Sequence, residues 1–345
     1  MEGKISMRKH GIALAVCLFL LGGLASQAGA QKTTFLLDWI IYGKHAPFYV
    51  AKDMGYFKKY GIDVTYKRGF GSGRTIKDIA SGVGDIGFAD AGSLVNGRAN
   101  SNFKVTQVAM VHAKTIMVAA FLKKKGFKTP KDISGASIGA PVGNAVRVVF
   151  PAFAEANKIK GVKWIDMGYG SVLPSLLTGR TDVALWYATE LPTALPKAAE
   201  RGMSIGYFNY GEWGVNIYNN GVIVRDPDMK NRAKFIKNIV KSLMDAFAWS
   251  TINVDDTIKN FLKYAPAMSE DIIREHFAIM LEYLWDDGTR RHGLGYVDHA
   301  KMDKTVEILT TLGKLKRRIP TNNMYTNRFL PQWPAIKAKL GDKVR

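Results

Sequence analysis

Cysteine is almost absent from this chain of 345 residues, and the single one, Cys17, lies inside an N-terminal apolar run. Val16 stands directly before it, where a lipoprotein anchor needs a small residue, so we expect no lipid attachment there. Removal of the N-terminal segment leaves a predicted mature chain without a thiol, which excludes disulfide bonds and cysteine nucleophiles. The six histidines, three of which are His276, His292 and His299, show no metal-binding spacing, and no metal or cofactor is predicted.

Long apolar runs are also rare, and the one that stands out occupies residues 12–24. Three basic residues precede it and the small residues 28–30 follow it, which is the pattern of a secretory signal peptide cleaved near Ala30. No later stretch approaches the roughly 20 apolar residues that a membrane-spanning helix needs. The sequence therefore predicts a signal peptide at residues 1–30 and a periplasmic mature protein.

Acidic residues are scarce relative to basic ones: 29 Asp and Glu stand against 49 Lys and Arg, a formal net charge of +20. A charge of this sign is compatible with nucleic-acid binding, but the basic residues are scattered and no recognition motif accompanies them. Export from the cytoplasm also argues against a nucleic-acid partner. We therefore predict a basic surface whose field favours anionic ligands or an acidic partner protein.

Residues 34–66 carry the most informative pattern in the chain: an apolar strand, a loop, a helix and a second strand. The loop between strand and helix holds Trp39, Tyr42 and His45 within a few residues. In open α/β sheets, ligands bind beyond the carboxyl ends of the strands, which is where this loop is expected. A surface loop with incidental aromatic residues is the alternative.

An internal echo suggests two lobes of similar construction. Residues 75–90 and residues 171–186 both combine an amphipathic helix, a glycine, a polar pair with aspartate and a short apolar strand. The predicted fold class is α/β, with two Rossmann-like lobes, a two-strand hinge (type II) and a helical C-terminal extension on lobe one. Lobe one is assigned to residues 31–120 and 222–345, and lobe two to residues 121–221. The interface between the lobes is the expected ligand cleft.

Aromatic side chains stand at predicted strand ends of both lobes: Trp39 and Tyr42 in the first, Trp186 and Tyr187 in the second. One from each lobe is able to sandwich a flat ring, which adds about 0.5–1.5 kcal/mol per stacked pair beyond burial. Trp39 and Trp186 suit the core equally well, whereas Tyr42 and Tyr187 stand next to turns and favour the cleft. Glu190 follows the second pair and either caps the next helix or accepts hydrogen bonds from a ligand N–H.

Polar side chains stand at the same strand ends and helix starts. Asp38 and His45 bracket the first loop, where His45 either contacts a ligand or caps the following helix. Arg147 begins a helix in lobe two, and a guanidinium at a helix N-terminus suits a carboxylate, sulfonate or phosphate. The candidate ligand-binding residues of this polar group are Asp38, His45, Asp90, Ser93, Asn144 and Arg147.

The tripeptide LDW at residues 37–39, His45 and the segment FYVAKDMGYFKKYGIDV at residues 48–64 resemble the opening of periplasmic binding proteins for thiamine-pyrimidine precursors. That family is close to the nitrate, sulfonate and taurine binding proteins of ABC importers, and the resemblance extends over residues 34–224. It implies a hinged, two-lobed monomer without catalytic activity. Such a protein delivers a small ligand to an inner-membrane ABC permease with a cytoplasmic ATPase.

The resemblance implies a ligand site but leaves the ligand open. An aromatic pair followed by glutamate, here Trp186, Tyr187 and Glu190, occupies this place in proteins that bind pyrimidine precursors. Ile41 and Tyr42, however, stand where that family often has Pro-Asn. A pyrimidine-type thiamine precursor or a related flat heteroaromatic is the main prediction. The alternatives are an alkyl sulfonate, taurine, a nitrate-like or other organic anion, and a riboflavin-like ring.

The superfamily also resembles the fungal pyrimidine synthases, enzymes that consume their own histidine and use pyridoxal phosphate and iron. Those enzymes place a lysine and a histidine four residues apart after a Gly-Asp-x-Gly turn, where this chain has Ala89 and Ser93. They also carry a cysteine-rich motif, which the predicted mature chain lacks. The G-x-S-x-G signature of hydrolases is missing as well. An enzyme is therefore not predicted.

Overall fold

The computed structural model describes residues 30–333, so the predicted signal peptide lies outside the described residues apart from Ala30. Within this range, no helix is both long and apolar enough to cross a membrane. The strands are β1 (Gln31–Leu36), β2 (Ile62–Lys67), β3 (Ile86–Asp90), β4 (Val105–Met110), β5 (Met117–Leu122), β6 (Ser137–Ala140), β7 (Lys163–Asp166), β8 (Val183–Tyr187), β9 (Ile205–Asn209) and β10 (Asn220–Arg225).

The α-helices of the described residues divide into those between strands and those that follow the last strand. The first group is α1 (Ala46–Asp53), α2 (Ser72–Ala80), α3 (Ala91–Ser101), α4 (Ala145–Ala156), α5 (Tyr169–Leu177) and α6 (Leu191–Ala199). The second group is α7 (Asp228–Asn231), α8 (Ala233–Ile252), α9 (Val254–Leu262), α10 (Glu270–Leu284), α11 (Asp287–His292) and α12 (His299–Thr311). Short 3₁₀ turns at Gly43–His45 and Ala188–Glu190 precede α1 and α6.

The strands form two mixed sheets. Each sheet, together with the helices that cover it, is called a lobe, lobe one and lobe two. The sheet of lobe one has the order β2-β1-β3-β10-β4, and that of lobe two has the order β7-β6-β8-β5-β9. In lobe one, β10 runs antiparallel between β3 and β4; in lobe two, β5 runs antiparallel between β8 and β9. The pairs β1 with β3, β6 with β7 and β6 with β8 are parallel. The predicted α/β class with two lobes is confirmed.

The chain passes between the lobes at residues 111–116 and 210–219, the connections on either side of lobe two. The predicted boundary of lobe one at residue 120 falls inside β5, which pairs with β8 and β9 in the second sheet. Domain boundaries fall where few contacts cross. We therefore propose to place the two lobe boundaries within these connections.

Aromatic packing beneath the first sheet anchors α1, the helix that follows the predicted site loop. Phe48 of α1 packs against Phe247 of α8, with ring centroids 5.2 Å apart and planes at 89°. It also contacts Phe35 of β1 at 5.4 Å and Phe88 of β3 at 5.0 Å. Such edge-to-face and tilted pairs each contribute about 0.5–1.5 kcal/mol beyond the burial of the rings. The site loop is thus fixed to the sheet on one side and to the C-terminal helices on the other.

The C-terminal helices cover lobe one, as predicted, and in addition reach lobe two. Helix α10 contacts the Gly43–His45 turn of lobe one and the Ala188–Glu190 turn of lobe two. Helix α12 packs against α3 and α4, one helix from each lobe. This part of the chain therefore connects the two lobes outside the two crossing segments.

Glycine backbone allows a close approach of the lobes at Gly71. A Cβ added at Gly71 would stand 1.9 Å from the carbonyl oxygen of Gly143 in lobe two. The φ angle of Gly71 is 107°, in the region that favours glycine. Its N–H donates to the carbonyl oxygen of Asp38 at 2.9 Å, which fixes this loop beside the end of β1. The contact between the lobes here depends on the absence of a side chain.

We expect Gly71→Ala to hold the lobes apart, because the new methyl group overlaps the Gly143 carbonyl and the backbone carries about 1–3 kcal/mol of strain. Small-angle scattering should give a larger radius of gyration, and thermal unfolding a lower midpoint. Gly73→Ala is the matched control, since its added Cβ lies 3.9 Å from the same oxygen, an ordinary contact. An unchanged radius of gyration for Gly71→Ala would contradict the closed arrangement of the lobes.

Candidate functional site

Side chains from both lobes enclose a small space, which we call the interlobe site. Its volume is about 10 Å³, room for a single water molecule. Because so little space is left, the lobes are closed on each other. The lining residues are Asp38, Trp39, Gly71 and Ser72 from lobe one and Asn144, Ala145, Val146, Tyr187 and Glu190 from lobe two.

Asp38 is the centre of a polar network in lobe one, although only 2% of its side chain is exposed. Its carboxylate accepts hydrogen bonds from Lys44 Nζ at 2.7 Å and from Asn220 Nδ2 at 2.9 Å. His45 Nε2 lies 2.8 Å from the other carboxylate oxygen. Burial by itself raises the pKa of this carboxyl group, but Lys44 and then His45 outweigh burial and hold the pKa of Asp38 well below its usual range. Asp38 is therefore ionised and fully paired.

His45 is neutral, and its hydrogen bonds define the tautomer. Its Nδ1 accepts from the backbone N–H of Tyr42 at 3.1 Å, so the proton is on Nε2, which donates to Asp38. Burial lowers the pKa of His45 more than the neighbouring carboxylate raises it. The ring is completely buried and both nitrogens are used. His45 therefore holds the loop in shape, and Asp38 lies between it and the interlobe site.

Lys44 connects the loop of lobe one to lobe two. Its Nζ lies 4.7 Å from the ring centroid of Tyr187, and only 1% of the lysine side chain is exposed. A cation–π contact of this kind contributes about 0.5–2 kcal/mol, more when it is desolvated. The same ammonium group thus neutralises Asp38 and contacts an aromatic wall of the interlobe site.

Glu190 takes one of the two roles that the sequence left open, that of a capping residue. Its Oε1 accepts from the backbone N–H of Tyr187 at 3.4 Å, which caps the Ala188–Glu190 turn. Its Oε2 is buried and finds no hydrogen-bond partner among the described residues. Burial raises the pKa of Glu190 to about 8, against the opposing effect of Lys44. At neutral pH the carboxyl group is therefore mostly protonated, and a protonated carboxyl group both donates and accepts.

Trp39 meets an aromatic residue of lobe two that the sequence analysis did not single out. The ring centroids of Trp39 and Tyr169 are 5.1 Å apart with planes at 89°, and Tyr42 lies 6.3 Å from the same tyrosine ring. Trp39 Nε1 is buried and, within residues 30–333, donates to no acceptor. Tyr169 is the first residue of α5. The aromatic candidates were chosen at strand ends, and extending the same choice to helix starts would have identified Tyr169.

His276 of α10 links the C-terminal helices to both lobes, a role for which we found no sequence signal. Its Nδ1 accepts from the backbone N–H of Gly43 at 3.4 Å, and its Nε2 is 3.0 Å from Thr193 Oγ1 of α6. The Tyr42 ring packs edge-on at 4.9 Å. Burial, assisted by the nearby Lys44 charge, lowers the pKa of His276 to about 4. Nδ1 stays an acceptor only in the neutral ring, so protonation breaks the bond to Gly43.

Three of the predicted polar residues lie at helix N-termini as capping groups or their partners. Asp90 caps α3, because its Oδ1 accepts from the Ser93 N–H at 2.9 Å. Asp90 and Ser93 are buried and do not line the interlobe site. Asn144 caps α4 through the Arg147 N–H at 3.1 Å and also lines the interlobe site. Of these three residues, only Asn144 is thus placed to meet a ligand there.

Arg147 points away from the interlobe site. Its guanidinium forms an ion pair with Asp166 at 2.6 Å and lies 4.4 Å from the ring centroid of Trp164. Neither partner lines the interlobe site. The anion contact predicted for Arg147 therefore has no support from its position, since an acidic residue and an aromatic face already occupy the guanidinium.

A second, larger space adjoins the interlobe site, and we call it the side cavity. It has a volume of about 470 Å³ and lies between α5 and α6 of lobe two, with Tyr42 of lobe one in its wall. Trp186 lines the side cavity, whereas Tyr187, the next residue of β8, lines the interlobe site. Alternation along a strand sends successive side chains to opposite faces, which explains the division. Glu190 lines both spaces.

The residues that the structure describes contain no group of three or more His, Cys, Asp or Glu side chains arranged to hold a metal ion. The interlobe site instead offers aromatic rings, amide groups and one protonated carboxyl group. Groups of these kinds are suited to stacking on a ligand and to hydrogen bonding with it.

Comparison with known proteins gives relatives along most of the chain. A family model described as NMT1/THI5 like matches residues 43–253. The formylaminopyrimidine-binding protein of Halalkalibacterium halodurans is 23% identical over 266 residues, which are 75% of this chain and 79% of that protein. The riboflavin-binding protein RibY of Chloroflexus aurantiacus is 20% identical over 317 residues, 89% of this chain and 88% of that protein.

Comparison with solved structures identifies the fold. The periplasmic aliphatic sulphonate binding protein SsuA from Escherichia coli superposes with a TM-score of 0.61 at 11% sequence identity. The match covers 85% of this chain and 91% of that one. The predicted periplasmic binding protein fold is thereby confirmed.

We expect Asp38→Asn to destabilise the protein by about 3–5 kcal/mol, because the change leaves the buried ammonium of Lys44 without its counter-charge. Urea denaturation at pH 7 measures the loss. Glu307→Gln is the control: it breaks an ion pair with Lys304 at 3.0 Å in which both side chains are more than half exposed. Such an exposed pair contributes about 0–1 kcal/mol. Equal, small losses for both variants would contradict the central role of Asp38.

We expect the free energy of unfolding to fall as the pH drops from 7 to 5, in part through His276. The folded protein lowers its pKa to about 4, so its contribution is complete above the unfolded pKa of about 6.5 and is lost as the pH falls toward the folded value. At pH 5 the loss from this residue amounts to about 2 kcal/mol. His276→Asn, which cannot titrate, should show a pH dependence smaller by that amount. His292→Asn, at an exposed site, should keep the full dependence; equal slopes for all three proteins would refute the assignment.

Proposed function

The chain belongs to the NMT1/THI5-like family, and from that premise we propose that it is the substrate-binding subunit of an ABC importer that holds a flat heteroaromatic ligand between its lobes. One observation carries this proposal: among the buried polar atoms of the residues that line the interlobe site, Trp39 Nε1 and Glu190 Oε2 are two that lack hydrogen-bond partners within residues 30–333. Buried polar groups nearly always have a partner. A heteroaromatic ring with an acceptor nitrogen and an amino group supplies both.

The charges around the interlobe site favour a neutral ligand. Lys44 is paired with Asp38 and Arg147 with Asp166. Glu190 is mostly protonated at neutral pH, because burial raises its pKa to about 8. None of these residues offers an unpaired cation to a sulfonate or nitrate. A pyrimidine-type thiamine precursor or a related flat heteroaromatic is therefore the leading ligand, and an alkyl sulfonate or another organic anion is the alternative.

Ligand entry requires the lobes to part, because the interlobe site has room for a single water molecule. A ring that enters replaces the edge-on contact between Trp39 and Tyr169 with stacking on one or both of them. Hinge closure then surrounds the ring. The closed, ligand-bound conformation differs in shape from the open one, and this difference allows the permease to distinguish the two.

In this proposal the protein is a periplasmic monomer that delivers its ligand to an inner-membrane permease with a cytoplasmic ATPase, and it has no catalytic activity of its own. The secretory pattern of residues 1–30 supports the location. The formylaminopyrimidine-binding and riboflavin-binding relatives, both named as binding proteins, support binding without catalysis.

A thermal-shift screen of the purified mature protein tests the proposal. The probes are hydroxymethylpyrimidine, formylaminopyrimidine, riboflavin, taurine and an alkanesulfonate. A ligand at 100 times its dissociation constant adds about 2.7 kcal/mol, which raises the Tm of a protein of this size by about 4 °C. We expect that shift from a heteroaromatic probe. Stabilisation by the sulfonates alone would overturn the proposed ligand class.

We further expect Trp39→Phe to weaken binding of the stabilising heteroaromatic by about 5- to 150-fold, because it leaves a buried ligand acceptor without a donor. Trp164→Phe is the control, since Trp164 is partly exposed and lines neither cavity. Titration calorimetry gives both affinities. Equal affinities of the two variants would remove Trp39 from the site.

A further inference from the structure

The side cavity has features of a ligand site that the proposed single ring does not use. Its volume of about 470 Å³ lies within the range of roughly 300–1,000 Å³ that drug-sized ligands occupy. The interlobe site, in contrast, has about 10 Å³. A ligand that stays between the lobes would leave this larger space to water.

Glu190 joins the two spaces. It lines both of them, it is 7% exposed, and its Oε2 has no hydrogen-bond partner in the described part of the chain. A buried polar atom of this kind is available for a hydrogen bond to a ligand. Glu190 is thus part of the wall of both spaces, and a ligand that contacts it lies beside the side cavity.

The walls of the side cavity suit an aromatic system. Tyr42, Tyr169 and Trp186 supply three aromatic rings, and Leu173 and Leu177 supply apolar surface. Offset stacking and edge contacts with such rings favour flat ligands. A single pyrimidine ring covers only part of this surface, whereas a fused ring system covers most of it.

The rim of the side cavity carries more positive than negative charge. Lys197 and Arg201 stand there with Glu200, and all three are exposed. Within residues 30–333, neither cation forms an ion pair with an acidic side chain. A charged group that leaves the cavity at this rim meets a net charge of one positive unit.

Resting on the proposed function, we propose that the ligand extends from the interlobe site past Glu190 into the side cavity. Its chemical class is a fused or otherwise extended heteroaromatic, larger than one pyrimidine ring, whose tail ends in an anionic group beside Lys197 and Arg201. The neutral ring system matches the paired charges of the interlobe site, and the anionic tail matches the cationic rim.

Titration calorimetry of the mature protein with three probes tests this inference. Hydroxymethylpyrimidine represents the single ring, riboflavin the fused ring with a neutral tail, and riboflavin 5′-phosphate the same ring with an anionic tail. We expect riboflavin to bind more tightly than the single ring. We expect the phosphate to bind about fivefold more tightly still, the effect of exposed ion pairs at the rim.

Gly170→Phe blocks the side cavity without disturbing the fold. Gly170 lines the cavity, and a Cβ added there meets no atom within 4 Å. Gly168→Phe is the matched control, because its Cβ also meets open space and it lines neither cavity. We expect Gly170→Phe to weaken both flavin probes at least about tenfold, while hydroxymethylpyrimidine binds as before and Gly168→Phe has no effect.

The charge at the rim is tested by the double variant Lys197→Gln, Arg201→Gln. It should abolish the preference for the phosphate over riboflavin. The double variant Lys124→Gln, Lys128→Gln removes the same charge from exposed positions outside both cavities and should keep the preference.

The outcomes separate this inference from the proposed function. Tight binding of hydroxymethylpyrimidine together with flavin affinities that Gly170→Phe leaves unchanged would overturn the extended ligand and leave the heteroaromatic importer intact. A phosphate that binds no more tightly than riboflavin would overturn the anionic tail. Failure of every heteroaromatic probe, with stabilisation by a sulfonate, would instead overturn the proposed function itself.

Discussion

The buried carboxylate of Asp38 determines the arrangement of the groups around the interlobe site. A carboxylate removed from water costs several kcal/mol, and this cost is offset only when its oxygens are paired and hydrogen-bonded. Two of the partners, Lys44 and His45, come from the loop that follows. The third, Asn220, comes 182 residues later, from the strand by which the chain re-enters lobe one. The carboxylate thus ties the site loop to the return crossing between the lobes.

The consequence of this pairing reaches lobe two. Because Asp38 holds the ammonium of Lys44 in a dry position, that ammonium faces the Tyr187 ring. His276 makes a parallel connection, from the same loop through Gly43 to Thr193 of α6. Both links run from one loop of lobe one to the end of β8 and the helix after it. Movement of the lobes therefore changes the environment of the residues that line the interlobe site, which is the coupling that a hinged binding protein requires.

Sequence reasoning reached the fold because local patterns encode it. The strand–loop–helix unit of residues 34–66 and the echo between the lobes follow from hydrophobic period and glycine positions. Site residues next to those elements were partly predictable: Trp39 and Tyr187 line the interlobe site, and Glu190 both caps a turn and exposes a free oxygen to the site. Their local context carried the signal.

Contacts between distant segments were not predictable in this way. Arg147 was expected to meet an anion, but Asp166 and Trp164, on a neighbouring strand, occupy its guanidinium. A lysine in a loop is more often solvated, and Lys44 is buried because its ammonium group pairs with the Asp38 carboxylate. His276 lies in a helix with an ordinary amphipathic pattern, and its role arises from the packing of α10 against both lobes. Such roles depend on tertiary placement, which a single sequence does not specify.

The net charge of the protein and the chemistry of the interlobe site act at different ranges. The formal charge of +20 acts through water, where salt screens it over about 8 Å, so it influences the approach of ligands and partners. Inside the interlobe site the charges cancel, because Lys44 faces Asp38 and Glu190 is mostly protonated. Selection there rests on ring shape and hydrogen bonds. The basic composition, which by itself suggests an anionic ligand, is therefore consistent with a neutral heteroaromatic ring, and it bears on ligand choice only where a bound molecule reaches the exposed rim at Lys197 and Arg201.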